Sequence, residues 1–219
     1  MKSNSSHMPL LLFCSDHLRY IEYSIGMMSK PLPVRFDSLQ RLCKEILSEF
    51  STMNLRHSAE GKKWSSASQP RPVEAQYQDE FYRGFIHVAG RGVPISSEWS
   101  RTKDGRVDLY IPEKKWVIEL LRDHDKVDEH ISRFKDGGKY HPWLKEKMVE
   151  DWIIINCATS LPTKGLFVVF NLMAMIYSTN NLIEFSEPKL WHAVFINDYS
   201  ELQLYNHQKA LIMSVHLHN

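Results

Sequence analysis

The sequence predicts an α+β fold, and three observations carry that reading. Two short alternating runs, Arg106–Ile111 and Lys115–Leu121, are separated by little more than a turn and form a hairpin pattern. A segment of helical period stands before the hairpin and another after it. Beyond these, the chain runs through one more apolar strand pattern and then three short strand-like runs with turn signals between them.

Taken in order, residues 1–36 have mixed composition, hold Pro31 and Pro33 and show no period, so they read as a leader of uncertain order. Asp37 or Ser38 can cap a helix from Leu39 to about Met53, with Leu39, Leu42, Cys43, Ile46, Leu47 and Phe50 on one face. Gly61 to Pro72 is polar and rich in turn formers, a linker pattern that closes a helical N-terminal part over 37–72. A second helix starts near Pro72-Val73-Glu74 and runs to about Ala89, with Tyr77, Phe81, Phe85 and Val88 as its apolar stripe and Gly90 or Gly92 ending it. Val93–Ser100 is a strand that turns through Lys103-Asp104-Gly105 into the hairpin. Asp123 can then cap a helix from His124 to Phe134, stopped by Gly137-Gly138. Asp151–Asn156 is a buried-strand run, and the tail strands lie near Trp191–Ile196, Glu201–Tyr205 and Ala210–Leu217.

The hairpin is where chemistry is expected. With Glu113-Lys114 at its tip, partner numbers add to 227, so Asp108 faces Glu119 and both side chains leave one face. Directly opposed residues have Cβ atoms about 4.5–5.5 Å apart. Two carboxylates that close repel unless a proton or a cation lies between them, and a hard divalent metal with oxygen ligands is the simplest cation to expect. A slip of one residue would send them to opposite faces. The bland alternative is a pair of solvated carboxylates on an edge hairpin. Glu119 speaks against it, because Trp-Val-Ile-Glu-Leu-Leu is apolar on both faces, and a charge there is costly unless paired or liganded.

Composition bounds the rest. The 219 residues, 43% apolar, can bury one core; the net charge of +1 offers no global attraction for a polyanion, so any such partner needs a local patch. Cys14, Cys43 and Cys157 give neither a disulfide framework nor zinc spacing, and a reducing intracellular environment follows. Pro9–Cys14 is too short for a signal-peptide core, and the most apolar run, Leu166–Tyr177, is too short for a membrane-spanning helix.

Around the carboxylate pair, Glu80 lies one turn from Tyr77 and is a candidate third carboxylate, against the alternative of a solvated helix face; Glu98, on the preceding strand, is a similar case. Arg122, Lys126, His130, Arg133, Lys135, Lys139 and Tyr140 follow the hairpin, and Lys126, His130 and Arg133 share a face at helical spacing. A cationic face beside paired carboxylates suits phosphodiester cleavage, where a metal polarises a phosphate oxygen and a cation steadies the developing charge. Asp123, Asp125, Asp128 and Glu129 interleave and nearly cancel that face, so an ordinary amphipathic helix is the alternative.

The blocks Glu74–Arg83, Ser97–Ser100, Gly105–Asp108, Trp116–Asp123, Glu129–Tyr140, Asp151–Ile155 and Val194–Tyr199, in that order, resemble the PD-(D/E)xK nuclease superfamily, and in particular the nuclease-like domain of Crinkler-type effectors and related fungal proteins. The resemblance covers residues 37–157 and 188–217 and leaves 158–187 as an apolar insertion. It implies a restriction-endonuclease-like core with added C-terminal strands, acting on DNA with Mg²⁺ or Mn²⁺ and no small-molecule cofactor. Asp108, Glu119 and Glu80 would be the metal carboxylates, Arg122 or Lys126 the basic helper, and His130, Arg133, Lys139 and Tyr140 the nucleic-acid contacts. The superfamily pattern wants a lysine two positions after the Glu, where this chain has Leu121. A module that binds DNA or a host nuclear protein without cutting is therefore the second expectation.

Overall fold

The computed structural model describes residues 29–59, 74–102, 105–162 and 189–218. Most of the expected leader, the 61–72 linker and most of the 158–187 insertion, with its Leu166–Tyr177 run, lie outside the described residues; Ala158 itself ends a strand. The leader's final residues belong to the body, since Leu32 and Phe36 are buried in its main core.

Helix α1 spans Leu39–Ser48, with the Ser38 hydroxyl accepting from the Arg41 N–H at its start and Leu39, Leu42, Cys43, Ile46 and Leu47 on its buried face. The single helix expected to Met53 is instead two. The Ser51 N–H is taken by the Glu80 carboxylate at 2.9 Å, and Thr52 bonds through its N–H to His218 O and through its hydroxyl to Tyr199 O. These tertiary bonds replace helical ones, so the chain breaks and restarts as α2, Thr52–Ala59. Helix α3 is Glu74–Ala89. It crosses α1 so closely that a Cβ on Gly84 would stand 2.9 Å from the Ile46 carbonyl oxygen.

Among the described residues, seven strands form one mixed sheet in which sequence neighbours are spatial neighbours throughout. Strands β1 (Ser96–Thr102), β2 (Gly105–Ile111) and β3 (Trp116–Arg122) make an antiparallel meander. Strand β4 (Asp151–Ala158) runs parallel to β3, and β5 (Leu190–Ile196) parallel to β4. Strands β6 (Glu201–Asn206) and β7 (Leu211–His216) return antiparallel. The chain is thus α+β with a mostly antiparallel sheet. Between β3 and β4 lie α4 (Val127–Phe134) and α5 (His141–Lys145), the latter opened by Pro142 and not foreseen from periodicity.

The two faces of the sheet pack differently. Leu109, Ile118, Leu120, Ile153, Ile155, Ala193 and Phe195 meet α1 and α3, while Val117, Leu121 and Ile154 meet Val127, Ile131, Phe134 and Trp143 of α4 and α5. Strand β3 is covered on both sides, as its doubly apolar pattern requires. Helix α4 begins three residues later than expected. Asp123 does not cap it; Lys126 stands at that position in a left-handed conformation, without a side-chain cap.

Candidate functional site

The β2–β3 ladder pairs Leu109 with Ile118, Tyr110 with Val117 and Ile111 with Trp116, which is the 227 register. One step further, at Asp108, the side chain takes over from the ladder: its Oδ2 accepts from the Leu120 N–H at 2.8 Å. Burial and the neighbouring Glu119 push the Asp108 carboxyl up to about 7, against the pull of that N–H bond. Glu74 adds to the rise and His130 opposes it.

Glu119 is 1% exposed, on the face covered by α4. Its Oε2 lies 2.7 Å from His130 Nδ1 and 3.9 Å from Arg133 Nη1. Its Oε1 is fully buried and has no hydrogen-bond partner. A buried acceptor left unsatisfied costs about 1–3 kcal/mol, more when charged, so this oxygen asks for a donor or a cation. Arg133 Nη1 also approaches His130 Nδ1, at 3.1 Å. An arginine can only donate, so Nδ1 cannot both accept from Arg133 and donate to Glu119. The shorter contact assigns the proton to Nδ1, directed at Glu119, with Arg133 held by Glu129 at 2.7 Å and leaning toward the same carboxylate.

The carboxylate that helix α3 turns toward this region is Glu74, exposed in the first turn of the helix. Partial burial of its carboxyl raises its pKa, while His130 lowers it and Glu119 and Asp125 raise it, so Glu74 feels the field of Glu119 without touching it. Glu80 does not join this group. It is 2% exposed and fully engaged, accepting from Ser51 N–H, from Asn54 Nδ2 at 2.6 Å and from Arg83 at 2.7 Å, where it ties α3 to the α1–α2 break. Glu98 is exposed and pairs with Arg106.

Of the basic candidates, His130 and Arg133 reach Glu119. Arg122 pairs with Asp123 at 3.3 Å and contributes to the field at Glu74. Lys126 and Lys139 are exposed. Lys126 precedes the helix, so the expected i, i+4, i+7 face is not formed with it. Tyr140 is buried, stacks on Trp143 with ring centroids 4.8 Å apart and donates its hydroxyl to the Arg106 carbonyl; burial and nearby Glu119 push it up to about 12. Three of the histidines meet polar side chains in contacts that the sequence did not single out: His130 meets Glu119, while His124 and His192 both meet Asn156. Only their positions after β3, on α4 and on β5 could have hinted at this.

Compared with protein-family models, with curated proteins and with solved structures, the chain finds no match. Among the described residues no three His, Cys, Asp or Glu side chains form a ready-made metal cluster. Two carboxylates, one holding an unspent buried oxygen, nonetheless suit Mg²⁺, which commonly takes one or two protein carboxylates and completes its shell with water and phosphate. No helix among the described residues is long and apolar enough to cross a membrane.

Proposed function

We propose that this domain is a Mg²⁺-dependent (or Mn²⁺-dependent) DNA endonuclease on a PD-(D/E)xK-type, restriction-endonuclease-like core. The unpartnered Oε1 of Glu119, beside an Asp108 whose carboxyl titrates near neutrality, carries this reading. The order helix, three-strand meander, helices, parallel strand supports it. Bound at the pair, the cation would polarise a phosphate oxygen and lower the pKa of a water there. Asp108 and Glu119 would hold it, and Glu74 would accept from a water in its shell. With Leu121 only 2% exposed in the core under α4, the basic role falls to His130 and Arg133, which face the pair and can steady charge on a phosphate. Purified protein should nick plasmid DNA in Mg²⁺, and Asp108→Ala should abolish the cutting with an unchanged circular dichroism spectrum. A variant that cuts like the parent would remove Asp108 from the site.

Two observations favour a second reading, a module on the same scaffold that binds DNA or a host nuclear protein without cutting. His130 already occupies one oxygen of Glu119 by a direct 2.7 Å contact, and no lysine follows two positions later. Salt-dependent DNA binding without cleavage over several divalent metals would select it, and no DNA binding at all would select a protein partner.

A further inference from the structure

We propose that Asn156 is a positioning residue, the pin that holds the β3–α4 turn and so seats His130 against Glu119. Its meaning for catalysis rests on the nuclease reading above; the contacts themselves do not. The turn needs a pin. Asp123 (φ 50), His124 (φ 65) and Lys126 (φ 49) all occupy the left-handed region, and none is glycine. Such residues are strained and persist only where their surroundings over-determine them.

Strand β4 supplies those surroundings. The Cys157 carbonyl accepts from the Asp123 N–H at 2.9 Å, and Asn156 Oδ1 accepts from the His124 N–H at 2.8 Å. The other half of the amide faces two rings: Nδ2 lies 2.6 Å from His124 Nδ1 and 3.3 Å from His192 Nδ1. With Oδ1 committed to an N–H, the remaining amide atom is the NH₂ donor, so both Nδ1 atoms present lone pairs. Both imidazoles are then neutral and carry hydrogen on Nε2. His124 Nε2 accordingly sits 3.0 Å from an acceptor, the Ser160 carbonyl. His192 Nε2 is buried without a partner. Burial, His124, Lys209 and His207 hold that ring neutral, down to a pKa of about 4. These tautomers also argue against reading the ring pair as a metal site, because neither Nε2 has a lone pair to offer.

The turn transmits this position to the carboxylate. Its last residue, Lys126, gives its carbonyl to the His130 N–H at 3.0 Å, the bond that sets His130 on the first turn of α4. From there the ring reaches Glu119 at 2.7 Å. Asn156, His124, Lys126, His130 and Glu119 thus form one mechanical series from β4 back to β3.

Imidazole ¹⁵N spectra of the full chain, without DNA or metal, test the proposal. In the parent, His124 and His192 should be Nε2–H tautomers. Asn156→Asp keeps the acceptor for the His124 N–H and reverses the ring contact. It should turn His124 or His192 to Nδ1–H and raise its titration midpoint by a pH unit or more, leaving His130 unmoved. Asn156→Ala frees the turn, so the His130 signals should shift as they do in Glu119→Gln. If that variant does not fold, Asn156→Ser, too short to reach the turn, takes its place. His130 signals that stay at the parent position in a folded Ala or Ser variant would overturn the proposal, as would unreversed tautomers in Asn156→Asp. A chain that never cuts DNA leaves this result standing, and a failure here leaves the nuclease reading untouched.

Discussion

Glu80 and Glu119 are buried almost equally, at 2% and 1% exposed, yet their surroundings differ. Glu80, where α3 meets the α1–α2 break, has both oxygens engaged by Ser51, Asn54 and Arg83. Glu119, between β3 and α4, spends one oxygen on His130 and leaves the other with nothing. Asp108 stands across the hairpin from it and Glu74 acts on it through its field, both with raised pKa values. The first arrangement is finished as it stands, a tie between α3, α2 and the break before it. The second leaves one buried oxygen uncompensated. Burial of a charge therefore does not mark a site; incomplete compensation beside other carboxylates does.

The sharpest way to break this contrast is by activity. Glu119→Gln should lower plasmid cutting by about 10²-fold or more, whereas Glu80→Gln should cut as the parent does per folded molecule. Equal losses in the two variants would erase the distinction. Stability should rank them the other way. Glu80→Ala strands a buried backbone N–H and the Asn54 amide, and urea unfolding should report a loss of about 1–3 kcal/mol. Glu119→Gln, which removes an ill-compensated charge, should cost less than that.

The pH dependence sharpens the contrast further. Asp108 is raised in the fold, so the stability it contributes is whole below its unfolded pKa of about 4 and drains away as pH rises through about 7. The slope approaches at most about 1.4 kcal/mol per pH unit, less for solvent access to a half-buried group. His192 tilts oppositely: lowered to about 4, it contributes stability above about 6.5 that is lost as pH falls toward 4. In the parent the two slopes offset between pH 4 and 6.5. Asp108→Asn should make the His192 slope more visible, and should stabilise the protein at pH 8, as read from melting temperature against pH. The smallest effect expected is a rise in melting temperature on adding Mg²⁺ at pH 8, present in the parent and absent in Asp108→Asn.

Much of this site was legible in the sequence, for identifiable reasons. Period-two alternation on both sides of a short turn left one register that kept the apolar residues inward, and that register put Asp108 and Glu119 on the same side. The doubly apolar run around Glu119 announced its burial. The tail strands were legible from their turns. Choosing between Glu74 and Glu80 was not possible, because both lie three residues from Tyr77 and helical period ranks them equally. What separates them is the Ser51 N–H, a contact that also breaks the first helix and that no local pattern encodes. The face expected of Lys126, His130 and Arg133 failed for a related reason: β4 holds the turn through Asn156 and Cys157, so the helix starts after Lys126.

The tight crossing of α1 and α3 at Gly84 bears on the chemistry from a distance. Glu74 is ten residues away at the other end of that helix, about 15 Å along its axis. A methyl group at Gly84 would press on the Ile46 carbonyl, and a stiff rod pushed at one end swings at the other. The missing side chain at Gly84 thus works as a fulcrum: it sets how the far end of the helix, with Glu74, lies over the body, and any residue larger than hydrogen there would tilt that end.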